Sequence, residues 1–201
     1  VFSDFQPQQV VHLAATPGIR EPEFKFSEYL NSNLIGHANV LELCRIYDIQ
    51  HFLYASSSSV YGNSVKKSFR ENDSTDEPIS MYAATKRSNE LTTEVYSHLY
   101  RQRTTGIRVF SAYGPWGRPD MAYFNFPKKM IKNETITVFS KGELKRDFTY
   151  IDGIVEAIIR LLNRTDDRSE LHQIYNIGHG NPKSILELVT ALETILNVKA
   201  K

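Results

Sequence analysis

The sequence predicts an α/β fold: a parallel sheet flanked by helices, with a smaller α/β lobe formed by the later part of the chain. Three observations carry that expectation. Apolar, β-branched runs of strand length alternate with segments whose apolar residues recur at helical spacing. Beyond Tyr113 this alternation gives way to a loop rich in glycine and proline and to shorter mixed elements. Finally, a chain of 201 residues with 41% apolar content, 11 Tyr and 11 Phe has enough material to bury a core.

The elements follow in order. Gln8-Gln-Val-Val-His-Leu-Ala-Ala has the look of a buried parallel strand and comes within a few residues of Val1. From Ser27 to Tyr47, the residues Tyr29, Leu30, Leu34, Val40, Leu41, Leu43 and Cys44 fall at roughly helical spacing, and His51-Phe-Leu-Tyr-Ala supplies a second strand, which completes a βαβ unit. A helix from about Tyr82 to Leu99 and a strand at Thr105-Gly-Ile-Arg-Val-Phe repeat the rhythm. Residues 1–113 are therefore assigned to the main domain and residues 114–201 mainly to the smaller lobe, with some elements returning to the first. The lobe opens at Gly114-Pro-Trp-Gly-Arg-Pro-Asp. Late in the chain, Ser184-Ile-Leu-Glu matches a capping box ahead of a helix with one apolar face, formed by Ile185, Leu188, Val189, Leu192, Ile195 and Leu196.

Composition excludes several functions. The 24 Lys and Arg nearly cancel the 23 Asp and Glu, so no nucleic acid or membrane partner is called for. The cluster Lys128, Lys129 and Lys132 reads as a solvated helix face. The one cysteine, Cys44, lies among apolar residues as a buried thiol, and no disulfide framework can form. The histidines at 12, 37, 51, 98, 172 and 179 show no paired metal-ligand spacing, so no metal site is expected. Apolar stretches are broken by charge, and the chain is read as cytoplasmic.

Chemistry concentrates in two segments. In Tyr82-Ala-Ala-Thr-Lys86, residues four apart share a helix face, so a phenol and an ammonium can address one point. A free phenol has a pKa of about 10, and a fixed neighbouring cation favours the phenolate, which makes Tyr82 an acid or base usable near neutrality. A packed tyrosine beside a solvated lysine is the plainer alternative. Upstream, Tyr54-Ala-Ser-Ser-Ser-Ser-Val-Tyr-Gly62 is a strand that ends in hydroxyls at its carboxyl edge, where doubly wound sheets bind ligands. A serine-rich turn that only caps the next element is the plainer reading there.

Together these segments resemble the extended short-chain dehydrogenase/reductases. Thr105-Gly-Ile-Arg-Val-Phe-Ser-Ala-Tyr-Gly-Pro-Trp-Gly-Arg-Pro-Asp-Met narrows the likeness to the NAD-dependent nucleotide-sugar epimerases, and in particular to the UDP-glucuronate 4-epimerase branch. His12-Leu-Ala-Ala with Pro17-Gly-Ile-Arg20, Asn33-Leu-Ile-Gly36 and Arg146-Asp-Phe-Thr-Tyr-Ile-Asp152 extend the resemblance over nearly the whole chain. It implies a Rossmann-like sheet. It also implies that Ser57 is the proton-shuttling hydroxyl, Tyr82 the catalytic base, and Lys86 the group that positions the nicotinamide ribose of NAD.

Ser58, Ser59, Ser111, Arg20, Arg118 and Arg146 are implied as substrate contacts, with Arg146 on the nucleotide diphosphate of a UDP-sugar; for Arg118 a loop salt bridge is the competing reading. Ala14, Ala15 and Asn33 are implied on the cofactor side. In the family a hydride passes from C4 to NAD and returns to the other face of a 4-keto sugar. Related dehydratases place Asp-Glu, and decarboxylases Glu, where this chain has Ser58 and Ser59, which favours simple epimerisation. Neutral UDP-hexoses or UDP-N-acetylhexosamines are the alternative substrates, and a non-catalytic binding or oligomerising remnant is the alternative function.

The family's Gly-x-x-Gly-x-x-Gly turn does not occur in the 201 residues. The resemblance therefore implies a fragment whose first strands and final portion are absent, with NAD affinity and turnover weak or lost. A homo-oligomer, a dimer, is expected to cover the sheet edge and apolar surface so exposed.

Overall fold

The computed structural model describes residues 1–18, 26–64, 66, 68–164 and 170–201. In chain order its elements are α1 (Phe2–Phe5), β1 (Gln9–His12), α2 (Phe26–Glu28), α3 (Gly36–Ile46), β2 (His51–Ala55), α4 (Met81–Tyr100), β3 (Thr104–Val109), β4 (Ser111–Tyr113) and α5 (Ala122–Ile131). There follow β5 (Lys145–Arg146), β6 (Phe148–Tyr150), α6 (Ile151–Leu162), β7 (His172–Ile177), β8 (Lys183–Ser184) and α7 (Ile185–Leu196). Two compact units result: residues 1–109 with 157–177, and residues 110–156 with 178–201.

The first unit holds a four-stranded sheet in the order β1-β2-β3-β7. Every pairing is parallel, with Val10 opposite Phe52, Tyr54 opposite Gly106, and Thr104 opposite His172. Helices between consecutive strands make those parallel pairings geometrically possible. Leu41, Cys44, Ile49, Phe52 and Tyr54 form a core cluster between α3 and the sheet. Cys44 is fully buried, and burial pushes its thiol up to about 12, so it packs as an inert apolar group. Gly106 makes room for the Tyr54 ring, since a Cβ there would stand 2.6 Å from Tyr54 Oη and 2.8 Å from Ile174 Cδ1.

Two sequence expectations about the first strand need correction. The strand stops at His12 instead of running through Ala15, and it is not buried: Val11 and Leu13 are 38% and 54% exposed. The reason is that β1 pairs with β2 on one side and with no strand on the other among the described residues.

The helix expected from Ser27 to Tyr47 is present, but its middle, Tyr29–Ile35, is π-helical and joins α2 to α3. The extra residue in that stretch accompanies Asn33, which points inward and is 1% exposed. Helix α4 begins at Ser80, whose side chain accepts from Ala83 N at 3.1 Å. Its buried stripe is Ala83, Thr85, Lys86, Asn89, Glu90, Thr93 and Ser97, polar at nearly every position. In the second unit, β4 pairs with β6 and β5 with β8, and the Ser184–Glu187 capping box opens α7 as expected.

Candidate active site

Because the four strands are parallel, their carboxyl ends share one edge. Ala14 and Ala15 follow β1 there, and the serine run follows β2. Ser57 has extended backbone and caps a single 3₁₀ turn, Ser58–Tyr61. Its Oγ accepts from Ser59 N at 3.2 Å and from Ser59 Oγ at 2.9 Å. Ser57, Ser58 and Ser59 are all half-buried. Gly62 closes the turn at φ 62°, ψ −139°, with its backbone so near Glu77 that an added Cβ would lie 2.1 Å from the Glu77 carbonyl oxygen.

Helix α4 packs against this turn. Lys86, 3% exposed, donates from Nζ to Ala55 O at 2.6 Å, and the ammonium lies 5.8 Å from the centre of the Tyr82 ring. That bond ties the Tyr-Lys pair to the strand end two residues before Ser57. Burial pulls Lys86 down to about 8, which leaves it mostly charged at neutral pH. Burial and then Lys86 lower His12, and burial, His12 and Lys86 together take His37 down to about 3, so both rings are neutral at pH 7. The positive charge beside Tyr82 is thus carried by Lys86.

Asn33 secures the loop after β1. Its Oδ1 accepts from Thr16 N at 2.7 Å, and its Nδ2 donates to Thr16 O and to Thr85 Oγ1, both at 3.1 Å. Thr85 in turn donates to Tyr82 O at 2.8 Å, and Asn89 Nδ2 donates to Asn33 O at 2.9 Å. Both ends of the Asn33 amide are therefore spent on holding the Ala14-Ala15-Thr16 segment beside α4.

Sequence reasoning missed a second set of residues. Glu90, 1% exposed, accepts from Ser56 Oγ at 2.5 Å, from Arg108 Nε at 2.8 Å and Nη2 at 2.9 Å, and from Arg87 Nη1 at 3.1 Å. Arg108 Nη1 donates to Tyr61 Oη and to Glu71 O, each at 2.9 Å. The Tyr61 hydroxyl is 2.7 Å from Asn176 Oδ1 and 3.1 Å from Arg70 O. Burial alone would raise the Glu90 carboxyl, but hydrogen bonds from Arg108 and Ser56 outweigh it and hold the group below its usual range. Arg108 is raised for the reciprocal reason: the bonds it donates to Glu90 overcome the effect of burial. The available signal was Arg108 itself, a charge near the end of the otherwise uncharged strand Thr104–Val109.

Three implied substrate residues belong to the second unit. Ser111, half-buried in β4, donates its backbone N to Asp147 O at 2.9 Å. Arg118 forms a forked pair with Asp120, with Nε to Oδ1 at 3.0 Å, so the loop salt bridge weighed against a substrate contact is present. Arg146 is exposed on β5, opposite Lys183 of β8. Asp147, unremarked in the sequence, accepts from His179 N at 2.8 Å and Gly180 N at 2.7 Å and so fixes the turn before β8. Arg20 lies outside the described residues. Among the described residues no group of His, Cys, Asp and Glu could hold a metal ion, and no helix is long and apolar enough to cross a membrane.

A family model for the NAD dependent epimerase/dehydratase family matches residues 1–178. The chain belongs to this family. Among its relatives, the CapI protein of Staphylococcus aureus is 46% identical over 100% of this chain and 64% of its own length. UDP-glucuronate 4-epimerase 5 of Arabidopsis thaliana is 44% identical over 96% of this chain and 47% of its own. The UDP-glucuronic acid 4-epimerase of Bacillus cereus, solved with UDP-glucuronic acid and NAD, superposes with a TM-score of 0.91 at 32% identity over 100% of this chain and 62% of that one. The chain thus spans about half to two thirds of the length of these relatives. As a member of this epimerase family, it carries the Rossmann-type parallel sheet of its relatives and, in α4, the Tyr-x-x-x-Lys pair.

Proposed function

We propose that this chain is the part of a UDP-glucuronate 4-epimerase that carries the proton-transfer machinery, inverting C4 of a UDP-uronic acid. The observation that carries the reading is the buried Lys86, whose Nζ donates to Ala55 O at 2.6 Å, two residues before Ser57, and lies 5.8 Å from the centre of the Tyr82 ring. In this reading Tyr82 takes the proton from the C4 hydroxyl, Ser57 relays or steadies that proton, and Lys86 favours the phenolate. Ser58 and Ser59 hydrogen-bond the sugar, and their uncharged hydroxyls can hold a carboxylate without adding like charge.

The residues present fit NAD. Lys86 spends one donor on Ala55 and has further N–H bonds to give, while Ala14 and Ala15, small and clipped in place through Asn33, allow close approach of a dinucleotide. When bound, NAD supplies the hydride acceptor and donor at C4. Lys86 would hold its ribose, and the buried surroundings of Lys86 keep water from that ammonium. The residues Ser111, Arg118, Arg146 and Arg20 are assigned to the UDP-sugar, with Arg146 on the diphosphate, where a permanently charged fork suits the ligand. Residues 1–113 are taken as mainly cofactor-binding and 114–201 as mainly substrate-binding.

A dimer is part of the proposal. Helix α4 turns its polar stripe inward and leaves Leu91, Val95 and Leu99 48%, 55% and 61% exposed, and α3, which packs against α4, leaves Ile46 58% exposed. Such an apolar face fits a second copy. Incubation with NAD and UDP-glucuronate, followed by chromatographic search for UDP-galacturonate, tests the activity. Product from UDP-glucose but not from UDP-glucuronate would move the assignment to neutral hexoses. Binding of UDP-sugar with no turnover of either would leave a binding module.

A further inference from the structure

The Glu90–Arg108 pair holds the hydroxyl turn from both ends. Ser56, immediately before Ser57, reaches Glu90 Oε1 at 2.5 Å, and Tyr61, the last residue of the turn, receives Arg108 Nη1 at 2.9 Å. The Arg108 guanidinium also lies 4.9 Å over the Tyr61 ring, which stacks on Phe69 at 4.4 Å. Between these ties the turn has backbone bonds of its own, among them Val60 N to Ser57 O at 3.2 Å and Gly62 N to Ser59 O at 3.1 Å.

The other half of the geometry is on α4. Glu90 stands two helical turns after Tyr82 and one after Lys86, so all three share a face. One carboxylate therefore joins the helix that bears Tyr82 to the strand end that bears Ser57, and Arg108 on β3 clamps both through its fork to Glu90. A buried ion pair is a poor device for stability alone. Its desolvation cost offsets the attraction, and apolar side chains of the same volume would fill the space equally well. What a bidentate fork adds is direction, since it admits one relative placement of its partners.

We infer that Glu90 and Arg108, acting through Ser56 and Tyr61, are positioning residues that fix the Ser57–Ser59 hydroxyls relative to the Tyr82 phenol. The inference rests on the epimerase reading for its catalytic consequence, but its structural half stands without it. Both residues are buried, at 1% and 3% exposure, so their effect on a bound sugar would run through the turn.

The test is the double variant Ser56→Ala/Tyr61→Phe, which keeps the ion pair and removes its two ties to the turn, together with the Tyr61 hydroxyl's contacts to Asn176 Oδ1 and Arg70 O, while Ser56→Ala alone cuts the Glu90 tie and leaves those contacts in place. Hydrogen exchange by mass spectrometry over residues 56–62 is expected to speed up by about tenfold while exchange in α4 stays as in the parent protein. In the same variant, kcat for C4 epimerisation is expected to fall about a hundredfold with KM for the UDP-sugar little changed, the signature of displaced reacting groups. Unchanged exchange over 56–62 would overturn the inference whether or not the parent turns over. Faster exchange with an unchanged kcat in an active parent would overturn it too. A parent with no turnover on any UDP-sugar would instead count against the epimerase reading, and the exchange result would still decide the positioning role. If the double variant fails to fold, Ser56→Ala alone is measured in the same two ways, with the same outcomes deciding.

Discussion

Replacing Arg108 with methionine should expose how much unit stability depends on one buried charge pair. Methionine fills much of the same volume, so little cavity is created, and the loss is electrostatic. Four hydrogen bonds disappear: two to Glu90, one to Tyr61 Oη and one to Glu71 O. Glu90 stays 1% exposed with Ser56 and Arg87 as its remaining partners, and Arg87, its side chain 27% exposed, compensates weakly. Removing one member of a buried pair costs about 3–5 kcal/mol, and the surviving Arg87 contact places this case near 3. At roughly 2–4 °C per kcal/mol for a chain of this size, the melting temperature should drop by about 6–12 °C at pH 8.

The pH dependence has a definite sign. In the parent the Glu90 carboxyl is held below its usual range, so its contribution is present above the unfolded pKa and is lost as pH falls through the folded one. In the variant, burial without Arg108 raises the same carboxyl, so its folded form gains protons and the deficit shrinks on acidification. The gap between the two proteins in thermal unfolding should therefore narrow from pH 8 to pH 5. A gap below about 1 kcal/mol at pH 8, or one that widens toward pH 5, would show that Glu90 does not depend on Arg108 for its charge.

Other consequences follow from single features. Gly62→Ala should cost about 3 kcal/mol or more in urea unfolding, because φ 62° with ψ −139° is a glycine conformation and the new Cβ would meet the Glu77 carbonyl at 2.1 Å; a loss within experimental scatter would contradict the turn geometry. Any epimerase activity should decline as pH rises through about 8, where Lys86 loses its proton, and Lys86→Met should remove most of the rate at every pH; a rate flat to pH 10 would deny Lys86 its charge role. Val95→Glu, placing a charge amid Leu91 and Leu99, should shift sedimentation from dimer to monomer, and a parent that sediments as a monomer would dispose of the proposed second copy.

The first three strands and α4 were legible because their signals are periodic: β-branched runs and a helix with Tyr82 and Lys86 one turn apart; the strand His172–Ile177 and its place beside β3 were not read from the sequence. The burial of β1 was misjudged since Val10, Val11 and Leu13 read identically whether a strand has one neighbour or two. Pattern reading treats charge as solvent-facing, so the inward polar stripe of α4, Glu90 included, was invisible to it, and the one cue, Arg108 within an uncharged strand, names no partner. Asn33 was flagged through resemblance, yet its actual work, clipping Thr16 to Thr85, depends on a π-helical turn that no spacing rule anticipates. The residues of the second unit were named from motif likeness alone, and Arg118 turned out to be engaged by Asp120.

The central claim is that the Tyr82 phenol carries the proton at C4, and Tyr82→Phe removes that oxygen while leaving the ring in place. The decisive measurement compares the conversion of UDP-glucuronate to UDP-galacturonate, with NAD present, in an active parent and in Tyr82→Phe at matched melting temperature. The expected rate is at least about a hundredfold lower with UDP-glucuronate still bound. Undiminished conversion by the phenylalanine variant would contradict it.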